Sequence, residues 1–268
     1  MAVVTGVDGP HYRNPGAFMA FAADGRAAGQ LTSGCIERDL ALHAIDVAAT
    51  GRPKTLRYGA GSPYVDLQLP CGGALEVSLL RADIPTISKA VARRHARRPS
   101  RLGLDLVGGG MALDGPGFVL DMMPPTAFSV WGAGIEAVTF AALAHAAGFP
   151  ARLHSHDETT LASARAHGVA TAGPVWEDAD RWTAVVMFYH DHDKEPALLR
   201  EALRSDAFYI GAQGSLRTHD ARKASLTGLG LSVDEIARLR GPIGLIRSAR
   251  DPRVLAVSVL AEILAEAL

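Results

Sequence analysis

Between an apolar stretch at residues 128–131 and an apolar helical stretch that runs to Gly148 lies the segment Gly132-Ala133-Gly134-Ile135-Glu136-Ala137. It has the strand, glycine turn and helix order of a phosphate-binding loop, in the permitted G-x-G-x-x-A form. Glycines let the backbone turn sharply, and the helix start offers unpaired N–H groups and a positive dipole to an anion. A strand that feeds such a helix belongs to a parallel sheet covered by helices on both faces. Further buried-type strands at 151–155, 184–188 and 208–210, each followed by polar loops and helices, predict a doubly wound sheet. Two details bear on the ligand. Glu136 puts a carboxylate inside the turn, and Ser155 stands where a dinucleotide site carries its ribose-binding acid, with Asp157 two positions on. That weakens the case for NAD and leaves open a 2′-phosphate, a ligand that is no dinucleotide, or a vestigial loop.

The first eighty residues follow a different grammar. An apolar run at 18–23, the turn Asp24-Gly25 and a resumption at 27–31 predict a hairpin. Ile36, Leu40, Ile45 and Val47 are spaced for a helix over 35–49, stopped by Gly51-Arg52-Pro53. Residues 65–69 alternate and 74–80 are apolar and β-prone, with Pro70-Cys71-Gly72-Gly73 a tight break between them. A helix over 87–98 carries Lys89, Arg93, Arg94, Arg97 and Arg98, with Arg101 just beyond. This is either a solvated face near a domain junction or a docking patch for an acidic partner or phosphorylated ligand. Gly108-Gly109-Gly110 and Met122-Met123-Pro124-Pro125 frame a connector. The organisation expected is an N-terminal α+β domain with connector over 1–125 and a Rossmann-like domain over 126–268.

Composition narrows the function classes. With 48% hydrophobic and 21% charged residues in 268, the chain has the make-up of a globular protein. A net charge of −1 gives no reason to expect nucleic acid or an anionic membrane as partner. Two cysteines, Cys35 and Cys71, fit a reducing cytoplasm, and the N-terminus does not read as a signal peptide. The apolar stretch 254–268 contains Glu262 and Glu266 and is too short to span a bilayer. It serves a dimer interface as easily as the core.

Both cysteines sit in glycine-flanked turns, Ser33-Gly34-Cys35 and Pro70-Cys71-Gly72-Gly73. Glycine neighbours permit close ligand approach, and a helix N-terminus favours a thiolate; the alternative is two small buried hydrophobes. With no CxxC pair, structural zinc is not expected. His190-Asp191-His192-Asp193 follows the strand at 185–188, at the end where α/β ligands bind, as pocket lining or as a loop cap. His154 and His156 follow a neighbouring strand. Gly211-Ala212-Gln213-Gly214-Ser215 forms either a second anion cradle, with Arg217 and Arg222 nearby, or a tight strand-to-helix turn. The sequence holds no G-x-S-x-G, H-E-x-x-H or P-loop lysine motif, so no catalytic residue is assigned.

Taken together, the segments resemble the XdhC/CoxI family, accessory factors of xanthine dehydrogenase and related molybdenum hydroxylases. The resemblance rests on Arg13-Asn14-Pro15-Gly16-Ala17, Ser33-Gly34-Cys35-Ile36-Glu37 and Leu69-Pro70-Cys71-Gly72-Gly73 in the N-terminal half. In the C-terminal half it rests on Gly132-Ala133-Gly134, His190-Asp191, the run from Tyr209 to Ser215, Pro242-Ile243-Gly244-Leu245, and the run from Ala256 to Glu262. It implies a cytoplasmic, homodimeric maturation factor that binds the molybdenum cofactor, as molybdopterin or its nucleotide form, during sulfuration and insertion. The implied partners are an apo-molybdoenzyme and a cysteine desulfurase. The implied cofactor-binding residues are Cys35, Cys71, Gly72, Gly73, Gly132, Gly134, His190, Asp191, Gly211, Gly214 and Ser215, with Cys35 and Cys71 the metal-facing thiols. The alternative is an NAD(P)-dependent oxidoreductase or a nucleotide-sensing Rossmann protein, with His190 or Tyr209 as proton donor in the first case.

Overall fold

The computed structural model describes residues 1–63, 69–70, 72–189 and 195–267. The chain falls into two units, Met1–Pro124 and Pro125–Leu268. In the first, β1 (Ala2–Asp8), β2 (Phe18–Phe21) and β3 (Ala27–Ala28) lead to α1 (Glu37–Thr50), then β4 (Lys54–Gly59) and β5 (Ala74–Leu79). These strands form one antiparallel sheet in the order β3-β2-β1-β5-β4. Side chains alternate across a strand, so β1 serves two cores. Ala2 and Val4 join Leu40 and Val47 of α1, whereas Val3 joins Leu80, Leu102, Leu104 and Leu120 behind the sheet. Helix α1 begins at Glu37, two residues later than its apolar spacing suggests, and ends on the left-handed Gly51.

Helix α2 (Ile84–His95) is followed by β6 (Ser100–Leu104), β7 (Met111–Leu113) and β8 (Phe118–Met122), an antiparallel sheet in the order β7-β6-β8. The stretch expected to be a connector is therefore mostly paired strand. Its strands are short and glycine-separated, so the composition imitates a linker. The Asp83 carboxylate, accepting from the Thr86 N–H at 3.3 Å, starts α2 three residues early. Arg93 pairs with Asp114 at 2.7 Å and Arg94 with the Met123 carbonyl at 3.0 Å, while Arg101 beyond the helix meets Asp121 at 3.3 Å. That favours the solvated-face reading over the docking patch.

The second unit alternates strand and helix. β9 (Ala127–Gly132), α3 (Ile135–Ala146), β10 (Ala151–His154), α4 (Glu158–Ala166) and β11 (Ala170–Ala172) make its first half. β12 (Thr183–Phe188), α5 (Glu195–Arg204), β13 (Tyr209–Ala212), α6 (Leu216–Gly228), α7 (Val233–Ala237), β14 (Leu239–Arg240) and α8 (Pro252–Ala267) make its second. All six strands are parallel, in the order β11-β10-β9-β12-β13-β14, the doubly wound dinucleotide-binding order. Phe128, Val130, Val186 and Phe188 face α3 and α8; Trp131, Val185, Met187 and Ile210 face α5, α6 and α7. Among the described residues no helix is long and apolar enough to cross a membrane.

Strand order reverses between β9 and β12, where Gly132 pairs with Phe188. Gly132 has φ +146°, and a Cβ there would lie 2.3 Å from the Phe188 carbonyl oxygen. Gly132→Ala therefore carries backbone strain of about 1–3 kcal/mol before the clash is counted. The expected outcome is a lower denaturant midpoint with an unchanged m-value in equilibrium unfolding.

Candidate functional site

At the switch point the glycine turn is held by its neighbour α4. The Gly134 N–H donates to the Thr160 hydroxyl at 3.0 Å, and that hydroxyl donates to the Asp157 carboxylate at 2.5 Å. Asp157 also accepts from the Thr160 and Thr159 N–H groups, which makes it the N-cap of α4. The Thr160 hydroxyl and then the Thr160 amide hold this carboxyl below the usual aspartate range. Ser155 is buried and its hydroxyl accepts the Asp157 N–H at 3.1 Å. Neither residue thus presents a free carboxylate to a ribose, and one of the turn's N–H groups is already spent. His156 and Tyr189, just beyond β10 and β12, lie with parallel rings 6.2 Å apart.

His154 is the last residue of β10. It is buried and stacks on Trp131 at 4.1 Å. Burial pushes its pKa below the ordinary histidine value, outweighing attraction from Glu177 and a bond with the Gly173 backbone. A depressed folded pKa means the unfolded chain binds the proton more readily, so stability falls with pH below about 6.5. The thermal midpoint should drop between neutral and mildly acid buffer, and His154→Phe should flatten that slope.

The second glycine turn lies at the carboxyl end of β13. Gly211 is packed inside, where a Cβ would meet the Tyr209 ring and Ile243, so close packing requires glycine there. Ser215 caps α6 by accepting the Thr218 N–H at 3.2 Å. Residues 213–216, the loop 242–249 and Leu255 enclose a cleft of about 580 Å³. Helix α8 shapes that loop. Glu262 accepts from the Tyr209 hydroxyl at 2.6 Å and the Gly244 N–H at 2.5 Å, and Ser258 accepts the Ile246 N–H at 2.7 Å. Beneath the turn, Arg222 donates to Glu195 at 2.8 Å and to the Gln213 carbonyl at 2.5 Å. Both partners of that pair are buried, with 4% and 1% of their side chains exposed. Removing one takes from the other its buried, oppositely charged partner. Arg222→Ala should cost about 3–5 kcal/mol in equilibrium unfolding, and Arg222→Met with Glu195→Leu clearly less.

In the N-terminal unit, Cys35 is half-buried with a free thiol 3.8 Å from the Ser33 hydroxyl. Gly34, with φ +102°, has nothing within 4 Å of its side-chain position, so this tip is open to a bulky ligand. The carboxylate of Glu37 folds back beneath the tip and accepts from the Thr32 N–H at 2.6 Å and the Thr32 hydroxyl at 2.7 Å. Partial burial raises the Glu37 pKa, but the Thr32 and Ile36 donors outweigh it and leave the carboxyl below its ordinary value. Gly73 is required by close approach, since a Cβ there would lie 1.9 Å from the Pro10 carbonyl oxygen; Gly72 is open. Cys71, His190 and Asp191 lie outside the described residues. Among the described residues no three His, Cys, Asp or Glu side chains gather to hold a metal ion. Sequence reasoning singled out the glycines and Cys35, and did not assign Thr32, Glu37, Thr160, Ser258 or Glu262 a role. Glu37, Ser258 and Glu262 stand inside the quoted motifs, the one sign that pointed to them.

Residues 128–263 match the XdhC Rossmann domain and residues 1–59 match the XdhC and CoxI family. A curated relative, the molybdenum cofactor insertion chaperone PaoD of Escherichia coli (strain K12), is 34% identical over 259 residues, 92% of this chain and 77% of its own. A crystal structure described as a xanthine dehydrogenase from Bacillus halodurans superposes with TM-score 0.78 at 21% identity, over 99% of this chain and 90% of that one. Fold, glycine turns and the Cys35 tip define a two-unit protein with a doubly wound nucleotide-type domain. The chain belongs to the XdhC and CoxI family.

Proposed function

We propose that this protein is a maturation factor for a molybdoenzyme of the xanthine dehydrogenase type: it takes up the molybdenum cofactor, shields it through terminal sulfuration and passes it to the apo-enzyme. The observation that carries this reading is the open, glycine-framed thiol tip at Cys35, in a chain 34% identical to a protein named as a molybdenum cofactor insertion chaperone. The cargo is anionic, with a soft metal and a phosphate. A thiol suits the metal, and backbone N–H groups at a helix start suit the phosphate. Cys35 and Cys71 are the proposed metal-facing groups. Within the second unit, the Gly214-Ser215 turn beside its cleft and the Gly132-Gly134 turn are proposed to bind phosphate, and His190 and Asp191 are proposed cofactor-binding residues. Gly73 and Gly211 serve by packing, in keeping with the backbone and side chains that crowd them.

A cysteine desulfurase as sulfur source, a homodimer and a cytoplasmic setting complete the proposal. NAD(P) is the second reading, favoured by the strand order at the switch point and opposed by the engagement of Asp157 in capping α4. Protein purified without oxygen from a host that makes molybdenum cofactor should contain near-stoichiometric pterin and molybdenum. Cys35→Ala and Cys71→Ala, still folded, should lose most of it. Saturable NADPH binding without pterin would replace this reading with the second.

A further inference from the structure

The Cys35 tip does not owe its shape to the core alone. Its two ends are pinned, since Leu31 and Ile36 are fully buried against the sheet. Between them the backbone has neither helical nor strand bonding, so another group must hold residues 32–35. That group is the Glu37 carboxylate. As the first residue of α1 it turns back over the helix start, where Ile36 supplies no side-chain cap. One oxygen accepts from the Leu31 N–H at 3.1 Å and the Thr32 N–H at 2.6 Å; the other accepts from the Ile36 N–H at 3.2 Å. The Thr32 hydroxyl has one proton, which it gives to this carboxylate, and a lone pair, which receives the Cys35 N–H at 3.1 Å. Carboxylate, hydroxyl and cysteine amide form one chain of hydrogen bonds. Glu37 thus takes up the Ile36 N–H at this helix start, and the half-buried Cys35 side chain packs at the margin of the core.

We propose that Glu37 is the positioning residue for the cargo-binding thiol, acting on Cys35 through the Thr32 hydroxyl. The proposal rests on Cys35 being a ligand of the molybdenum cofactor. Because both ends of the loop stay anchored in the core, cutting the relay loosens the tip and leaves the fold in place. Thr32 offers the sharper cut: Val keeps its shape and removes the hydroxyl, whereas Ser keeps the hydroxyl.

Two arms separate this proposal from the reading beneath it. The first needs no cargo. In a Cys71→Ser background, Cys35 alkylation by iodoacetamide and amide hydrogen exchange over residues 31–37 are measured for Glu37→Gln, Thr32→Val and Thr32→Ser. Exchange at Cys35 should quicken roughly tenfold in the first two, with a matching change in alkylation rate, and stay near wild type in Thr32→Ser. The second arm counts pterin per chain with Cys71 present, after oxygen-free purification. Glu37→Gln and Thr32→Val should lose most of the pterin and Thr32→Ser should retain it. Wild-type exchange in Glu37→Gln and Thr32→Val, or Thr32→Ser as impaired as Thr32→Val, overturns the positioning role. Quickened exchange with no pterin even in the wild type upholds the relay and instead removes the cofactor reading.

Discussion

The pairing of β9 with β12 is the constraint around which the C-terminal unit is built. These two strands lie at the centre of a six-stranded parallel sheet, and the chain winds outward from them in opposite directions. Their carboxyl ends meet where the Phe188 carbonyl fills the space a side chain on residue 132 would need. A parallel sheet buried on both faces tolerates no such intrusion. Once the ends are in register, the turn after β9 must leave at once into α3, and the crevice of a doubly wound sheet opens beside it.

Loops in both units are shaped by carboxylates drawn back onto backbone N–H groups. Glu37 does this for the thiol tip, Asp157 for the start of α4 and the neighbouring glycine turn, and Glu262 for the loop after β14. Each is an acid whose oxygens accept backbone N–H groups of its own unit. The backbone of such loops lacks the bonding of a helix or strand and needs other partners. Charge-assisted bonds to one carboxylate supply them. This explains why Pro242-Ile243-Gly244-Leu245 and the run from Ala256 to Glu262 belong together: the second holds the first through Ser258 and Glu262.

Much of the fold was legible because buried parallel strands leave continuous apolar runs, as at Val185, Val186 and Met187, and because glycines mark the turns between them. The hairpin at Asp24-Gly25 and the doubly wound half followed from that pattern. Helix starts were misplaced where a single side chain decides them, as Asp83 does for α2. The sheet of β6, β7 and β8 was missed because its strands are short and set among glycines. At the candidate site the thiol and the glycine turns are local features, readable at fixed spacing. The Arg222–Glu195 pair and the bonds from Tyr209 to Glu262 join residues far apart in sequence, and nothing in a linear pattern reveals which charge will be buried beside which.

The outermost strands of the parallel sheet are brief: β11 has three residues and β14 two. An edge of that length offers too few free backbone groups for another polypeptide to extend the sheet. A client that engages this unit must therefore be recognised by side-chain shape and charge, and it can leave again without unzipping a ladder of main-chain bonds. For a protein whose proposed task ends in release, such reversibility is built into the margins of its sheet.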